Sequence, residues 1–346
     1  MIKYVRFKDF TAFADLHVDL SSGINVFVGA NGTGKTHILK TVYAACDITR
    51  AKTNFAEKMT RVFMPFNWQT GRLVRRQHVS ASGLVEVGRE FRHAGQDTKL
   101  TLRFSNHTDK PENALIRGVA KWLTESIGSV YIPVKEMLAN APGFRSLYSQ
   151  RSVHFEEVYA DIVDRALLPM LRGPADRDRR MVLASLQKAM EGKVVVRNED
   201  FFLKNRLGNL EFSLLAEGLR KIGLLWVLVQ NGTLLNGSVL CWDEPESNLN
   251  PKLMKSMVEI LLSLQRMGVQ ILVATHDYVC LKELDLQKST TDKVVFHSLY
   301  RDQASNNIAI TSTPNYLQIN PNAIADTFAD LFDRDMGRAL NVEGRR

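Results

Sequence analysis

GANGTGKT, at residues 29–36, is the stretch of sequence that decides the fold. It matches the pattern G-x-x-x-x-G-K-[ST], whose glycines let backbone N–H groups turn inward around phosphate oxygens. In this pattern Lys35 neutralises phosphate charge and Thr36 offers its hydroxyl to Mg²⁺. An apolar strand is predicted at residues 24–28 and a helix from about Lys35 to Thr49, whose positive end faces the phosphates. The stretch therefore predicts a nucleotide site built from a strand, a loop and a helix.

The acids that such a site needs are found in VLCWDE, at residues 239–244. A buried strand would deliver Asp243 to the Mg²⁺ shell, and Glu244 would orient or deprotonate the attacking water. Two acids at a strand exit are common, but the phosphate loop upstream favours the functional interpretation. ATHD, at residues 274–277, ends the next buried strand, where His276 can hydrogen-bond the γ-phosphate. A lone histidine there would ordinarily be structural, and the order of the motifs is what favours a catalytic role.

The series GANGTGKT, LLAEGLRK, LCWDEPESNLNP and ATHD resembles the Walker A, signature, Walker B with D-loop, and H-loop motifs of ABC-type ATPases. It is similar in particular to the stand-alone ATPases related to the OLD and RecF/SMC group. Those proteins open with a strand and a turn like KDFTAF (8–13) and end in an amphipathic helix like residues 322–340. The resemblance covers residues 1–45 and roughly 205–340. It implies an α/β P-loop NTPase fold of the ABC-ATPase type, with an antiparallel β insertion and a helical lobe.

In this group two chains sandwich two ATP molecules, and each phosphate loop faces the signature of the partner. The resemblance therefore implies ATP and Mg²⁺ as cofactors, a homodimer, and Glu217, Gly218 and Arg220 acting in trans near the γ-phosphate. Ala216 departs from the family, which usually has a serine there, and this change could slow turnover or weaken closure. The Q-loop should lie near residues 130–136, where Glu136 is either its polar residue or an ordinary exposed carboxylate. The residues predicted to bind nucleotide are Asn31, Gly32, Thr33, Gly34, Lys35, Thr36, Glu217, Gly218 and Arg220; the catalytic ones are Glu244, Lys35 and His276; the metal ligands are Thr36 and Asp243.

A single ABC-type ATPase domain is predicted over residues 1–346. Its parts are the phosphate-loop half at 1–50, a basic β-rich insertion at 51–135, a mainly helical lobe at 136–210, and the signature, Walker B and H-loop half at 211–346. The insertion is predicted to be antiparallel β-structure over residues 60–105. A C-terminal amphipathic helix is predicted to dock through apolar residues at helical spacing. These residues are Ile324, Phe328, Leu331, Phe332 and Met336.

The net charge of +8 is concentrated in one segment. Residues 50–110 contain twelve Lys or Arg and five Asp or Glu, which leaves +7 there. A basic face of this kind suggests a nucleic-acid partner, and a solvated basic lobe is the alternative. Trp68, with Phe63 and Phe66 nearby, could stack on bases, but the core of a small β lobe is the favoured interpretation. Cys46, Cys241 and Cys280 are expected to be reduced, buried thiols.

The function expected from these observations is ATP-driven dimer closure coupled to nucleic acid or to a separate effector, such as a nuclease or toxin, in antiphage defence. A RecF-like DNA-repair ATPase is the alternative, and the nucleotide-binding subunit of a transporter fits less well. A coiled-coil SMC protein would need long helical arms, and an intact set of motifs argues against a pseudo-ATPase. No apolar run approaches the ~20 residues that span a bilayer, so a cytoplasmic location is expected.

Overall fold

The computed structural model describes residues 1–51, 53–91, 97–150 and 153–343. The strands are β1 (Ile2–Phe10), β2 (Phe13–Asp19), β3 (Ile24–Val28), β4 (Ser82–Glu90), β5 (Asp97–Ser105), β6 (Leu115–Arg117), β7 (Ser129–Ile132), β8 (Lys193–Arg197), β9 (Asp200–Asn205), β10 (Gly208–Glu211), β11 (Val239–Asp243), β12 (Gln270–Ala274), β13 (Val294–Arg301) and β14 (Ile308–Thr313). The α-helices are α1 (Lys35–Asp47), α2 (Phe55–Phe63), α3 (Val119–Trp122), α4 (Ala141–Ser149), α5 (Glu157–Ala166), α6 (Arg177–Met190), α7 (Glu217–Gln230), α8 (Pro251–Arg266), α9 (Tyr278–Gln287) and α10 (Ala323–Glu343). Strands and helices alternate around the motifs, as the sequence predicts.

The central sheet has the strand order β14-β13-β3-β12-β11-β7 in the described part of the chain. Strands β13, β3, β12, β11 and β7 are parallel, and β14 pairs antiparallel with β13. Every residue of β3, β11 and β12 is buried, as expected for a sheet covered on both faces. Parallel strands end at the same edge, so the residues that follow β3, β11 and β12 lie side by side. This arrangement confirms the strands predicted before Gly29, Glu244 and His276.

A second, antiparallel sheet has the strand order β2-β1-β4-β5-β6 and packs its inner face against α1 and α2. The insertion strands β4 and β5 therefore extend the N-terminal sheet. The prediction of strands from residue 60 onward is wrong for residues 60–81. Residues 60–73 contain the end of α2 and two 3₁₀ turns, and residues 74–81 are irregular apart from an isolated bridge between Val74 and Phe10. The reason is a helix start that the sequence contains. Asn54 caps α2 through its side chain, and Phe55 and Met59 lie one turn apart on its buried face.

A small sheet, β10-β9-β8, completes the lobe predicted to be mainly helical. Strands β8 and β9 are rich in β-branched and aromatic residues, at KVVVR and DFFLKN. Asn198 and Glu199 join them with φ of 50° and 67°, the positive values that a tight hairpin requires. The sheet leads directly into the signature helix α7. Helices α5 and α6 fall within the helical segment that the sequence predicts.

Helix α10 is present, but its docking is more limited than the sequence predicts. Ile324 in its first turn is 9% exposed and packs into the main core. Phe328 stacks on Tyr278 with ring centroids 4.5 Å apart, yet remains 45% exposed. Leu331, Phe332 and Met336 are also largely exposed. The apolar stripe therefore docks on its own chain only at its N-terminal end.

The basic face predicted for residues 50–110 is smaller than the charge count suggests. Lys58 and Arg89 are buried, with relative exposures of 1% and 2%. Arg89 donates to the carbonyl of Trp122 in the interior of the N-terminal lobe, so its charge does not contribute to a surface. Lys52 and Arg92 lie outside the described residues. Several charges counted as part of a surface are thus internal ion pairs or hydrogen-bond donors.

Replacing Lys58 by Met is expected to lower the free energy of unfolding by about 3–5 kcal/mol, because it leaves buried carboxylates without their cation. The Lys58 ammonium lies 2.6 Å from Asp47, 2.7 Å from Asp161 and 3.1 Å from Glu157, and so ties α2 to α1 and α5. Urea unfolding measures the change. The matched control is Lys99→Met, whose side chain is 62% exposed and whose loss is expected to cost less than about 1 kcal/mol. Equal stability of the two variants would contradict a structural role for Lys58.

Candidate nucleotide site

The phosphate loop joins β3 to α1 with the backbone geometry that the motif requires. Gly34, at the N-cap of α1, has a φ of 91°, and Gly29 has a φ of 141°. A Cβ atom on Gly29 would collide with the carbonyl oxygen of Leu299 in β13. Lys35 is 8% exposed, and its ammonium donates to the carbonyls of Gly29 at 2.7 Å and Ala30 at 3.1 Å. Burial lowers the pKa of Lys35, and neighbouring carboxylates partly offset this effect.

Thr36 and Asp243 meet across the sheet edge, although they are far apart in the sequence. The Thr36 hydroxyl donates to Oδ1 of Asp243 at 3.2 Å. The hydroxyl of Tyr131, in β7, donates to Oδ2 of the same carboxylate at 3.0 Å. Burial raises the pKa of Asp243, and these two hydrogen bonds act in the opposite direction. Sequence reasoning gave Tyr131 no role, because its contact depends on the pairing of β7 with β11.

Glu244 leaves β11 with a φ of 47°, a left-handed value that is uncommon outside glycine. Its backbone N–H donates to the carbonyl of Ala274 at 2.9 Å, which fixes the exit of β11 against β12. One carboxylate oxygen lies 3.3 Å from Nδ1 of His276, and the other accepts from the Ser247 hydroxyl at 3.1 Å. Two of the predicted catalytic residues are therefore neighbours. Strained backbone of this kind is concentrated at functional sites.

Glu246 is a buried residue of the site that the sequence reasoning missed. Its carboxylate accepts from the Thr275 hydroxyl at 2.8 Å and from the backbone N–H of His276 at 3.0 Å. The same oxygen lies 3.6 Å from Nδ1 of His276. Burial raises the pKa of Glu246. The residue thus connects the D-loop (residues 245–251) to the H-loop, and its place in DEPE was the only feature in the sequence that could have indicated it.

The signature residues contact the D-loop of their own chain. Glu217, the first residue of α7, accepts from the side chain of Asn248 at 2.9 Å. A Cβ atom on Gly218 would lie 2.8 Å from Cδ1 of Leu249 and 3.2 Å from the carbonyl oxygen of Asn248, so a larger residue would require the D-loop to shift. Lys221, which is 1% exposed, donates to the carbonyl of Ser247 at 2.7 Å. Signature and D-loop therefore form one packed unit.

Arg220 and Glu136 form an ion pair at 3.3 Å between α7 and the segment that follows β7. The side chain of Glu136 is 1% exposed, so it is not the ordinary exposed carboxylate that the sequence left open. It also accepts from the backbone N–H groups of Leu138 and Ala139. Burial raises the pKa of Glu136. In this structure Arg220 is engaged within its own chain, whereas the resemblance implied a contact with the partner's nucleotide.

Replacing Lys221 by Met is expected to reduce ATP turnover by roughly 5- to 100-fold, which corresponds to about 1–3 kcal/mol for a buried carbonyl left without its donor. The reason is that the Ser247 carbonyl loses its hydrogen bond, and Ser247 in turn holds Glu244. Steady-state hydrolysis measures the effect. Lys255→Met removes an exposed lysine from α8 and should leave turnover unchanged. If Lys221→Met turns over ATP as fast as Lys255→Met, this D-loop contact has no part in catalysis.

Comparison with known proteins identifies the family of the chain. A family model described as "AAA domain, putative AbiEii toxin, Type IV TA system" matches residues 24–281. Over 44 residues the chain is 39% identical to the DNA replication and repair protein RecF of Clostridium tetani (strain Massachusetts / E88), a match that spans 13% of this chain and 12% of that protein. Among the helices of the described residues, none has the length and apolar character to cross a membrane.

Solved structures of SMC heads share the fold. The SMC head bound to the C-winged helix domain of ScpA has a TM-score of 0.56 at 13% identity, covering 90% of this chain and 97% of its own. The Pyrococcus furiosus SMC head with an extended coiled coil, bound to the C-terminal domain of ScpA, has a TM-score of 0.51 at 10% identity, covering 90% and 96%. The chain therefore belongs to the AAA-domain family whose model it matches, and it is an ABC-type P-loop ATPase with the fold of the SMC heads.

Proposed function

We propose that the chain binds ATP with Mg²⁺ and hydrolyses it, and that two chains close around two ATP molecules. The observation that carries this proposal is the meeting of Thr36, Asp243, Glu244 and His276 at the edge of the central sheet beside the phosphate loop. Lys35 and the loop N–H groups would bind the phosphates. Glu244 would accept a proton from the attacking water, and His276 would contact the γ-phosphate.

The donor atoms present are suited to Mg²⁺. Thr36 and Asp243 offer a hydroxyl and a carboxylate oxygen 3.2 Å apart, and Mg²⁺ favours one or two protein oxygens together with phosphates and water. When bound, the ion would neutralise the charge that develops on the phosphates. Tyr131 would hold the Asp243 carboxylate in the orientation needed for this contact. The two hydrogen bonds already made by Asp243 support a site whose geometry is set before nucleotide arrives.

Closure into a dimer is supported by the way the signature is built. Glu217 and Gly218 begin a helix whose free N–H groups can face a partner's γ-phosphate, and Ala216 supplies no side-chain cap to occupy them. The D-loop links this helix to Glu244 of the same chain, because Lys221 binds the carbonyl of Ser247 and Ser247 donates to Glu244. ATP would favour the closed state because only that state completes both halves of each site, and hydrolysis would release it.

We propose that ATP-driven closure acts on nucleic acid or on a separate effector protein, in antiphage defence. The basic residues that remain exposed in the insertion, such as Arg72, Arg76 and Arg103, support a polyanion contact. The family description names a putative toxin of a Type IV TA system, which supports a place in an effector system. A RecF-like role in DNA repair is the second candidate, and the matched segment of the Clostridium protein favours it.

Hydrolysis of ATP by the purified protein, with and without double-stranded DNA, tests the proposal. We expect Mg²⁺-dependent turnover, and we expect DNA to increase it if closure acts on nucleic acid. Turnover that DNA leaves unchanged would favour a separate effector protein, because the closed state would then need a protein partner. A protein that neither binds nor hydrolyses ATP in the presence of Mg²⁺ would contradict the proposal.

A further inference from the structure

Phe66 and Trp68 lie on an exposed turn that the ATP chemistry does not use. Their relative exposures are 68% and 44%, so the interpretation that placed them in the core of a small lobe is wrong. Asn67 and Trp68 have φ values of 53° and 58°, a region that bulky side chains rarely adopt. Asparagine adopts this region readily, but for Trp68 the strain costs on the order of 1–3 kcal/mol, and such strain is concentrated at functional segments. A strained turn that holds two large rings in water calls for a ligand.

Trp68 forms part of the wall of a cavity of about 660 Å³ between the insertion and the helical lobe. Small-molecule sites usually have volumes of about 300–1,000 Å³ and mostly apolar, aromatic walls. Three further ring-bearing residues, Tyr148, His154 and Phe155, line the same cavity. The rings of Trp68 and His154 are edge to face with centroids 6.3 Å apart. This lining suits a flat heteroaromatic ring.

Charged residues of both signs, Glu57, Arg61 and Glu112, line the cavity. Glu57 and Glu112 line it and offer carboxylate oxygens to ring N–H or amino groups. Glu57 already accepts from Arg61 at 2.5 Å. Arg61 is itself 46% exposed, and the Arg72 guanidinium lies 5.3 Å from the centroid of Phe66. Carboxylate acceptors and the Arg61 guanidinium in one lining match a base that carries a phosphate.

We propose that this cavity binds one nucleotide residue, with its base stacked on Trp68, its amino edge toward Glu112 and its phosphate at Arg61. The bound nucleotide would belong to an unpaired segment of nucleic acid or would be a free nucleotide. This inference rests on the proposed function in which ATP-driven closure acts on nucleic acid. Contacts along the chain also connect this cavity to the ATP site. Phe155 is followed by Glu156, whose carboxylate pairs at 2.5 Å with Lys40 of α1, the helix that begins at the phosphate loop.

Tryptophan fluorescence isolates this site, because the other tryptophans, Trp122, Trp226 and Trp242, are at most 6% exposed. Iodide should quench one accessible tryptophan in the free protein and none in Trp68→Phe. Single-stranded oligonucleotides, and separately AMP, GMP and CMP, are then added without Mg²⁺. Protection by oligonucleotide alone assigns the ligand to nucleic acid, and protection by a mononucleotide assigns it to a free nucleotide. Absence of protection by either overturns the proposal.

Binding of a labelled single-stranded oligonucleotide, followed by anisotropy, gives the second readout. Trp68→Ala should bind roughly 5- to 100-fold more weakly, the range expected for the loss of one stacked base, and Trp68→Phe should stay near wild type. Leu286→Ala, which removes an exposed leucine from α9, is the matched control. If the ligand that protects Trp68 from iodide, oligonucleotide or mononucleotide, binds Trp68→Ala and Leu286→Ala equally well, the proposal is overturned. Repeating the titration with Lys35→Ala separates this site from the phosphate loop, because base stacking should persist even if the ATP chemistry is wrong.

Discussion

Replacing Glu244 by Gln is expected to reduce ATP turnover by roughly 10²- to 10⁴-fold while leaving ATP binding intact. Gln keeps the size of the side chain and its hydrogen bond from Ser247, but it cannot take the proton of the attacking water. Single-turnover hydrolysis measures the loss, and nucleotide binding is followed separately by thermal stabilisation. A loss of both together would indicate a structural defect and contradict the assigned role.

Glu246→Gln is the matched control for this substitution, since it makes the same chemical change two residues away. The amide oxygen of Gln can still accept from Thr275 and from the backbone N–H of His276. Turnover should therefore stay within about tenfold of wild type. An equally large loss in Glu246→Gln would assign proton transfer to the pair of carboxylates around His276 and not to Glu244 alone.

Replacing Lys35 by Ala is expected to weaken ATP binding by roughly 10- to 150-fold, because charge-assisted hydrogen bonds contribute about 1.5–3 kcal/mol. The ammonium donates to the carbonyls of Gly29 and Ala30, which places it within the loop that the phosphates would enter. ATP should then no longer raise the melting temperature at concentrations that protect wild type. Calorimetric titration with ATP gives the affinities directly.

Lys255→Ala provides the control for the removal of a positive charge, since this exposed lysine on α8 has no place in the site. Its ATP affinity should equal that of wild type. If Lys35→Ala retained wild-type affinity, the phosphate loop would not be the nucleotide site.

The core of the site could be predicted from the sequence because each motif directly follows the carboxyl end of a buried strand, and the phosphate loop also needs particular glycine conformations. GANGTGKT requires the glycine conformations seen at Gly29 and Gly34, and the runs before Asp243 and His276 are apolar enough to read as buried parallel strands. Once these strands share one sheet, their carboxyl ends must meet. The proximity of Thr36, Asp243, Glu244 and His276 follows from that rule.

The supporting residues could not be predicted, since each depends on a tertiary contact. Tyr131 reaches Asp243 only because β7 pairs with β11, and Lys221 reaches the D-loop only because α7 packs against it. The charge count suggested a basic face, but burial of Lys58 cannot be read from composition. Trp68 was misassigned for the same reason, because aromatic content alone does not distinguish a core from an exposed turn.

The mass of the Glu244→Gln protein in solution, with and without ATP and Mg²⁺, tests the central claim most directly. One chain has a mass of 39.1 kDa. If ATP closes two chains around two nucleotides, light scattering should show ATP shifting the protein toward twice that mass. Adding Lys35→Ala to the same protein should abolish the shift. A mass that saturating ATP leaves unchanged, whether monomeric or dimeric, would contradict nucleotide-driven closure.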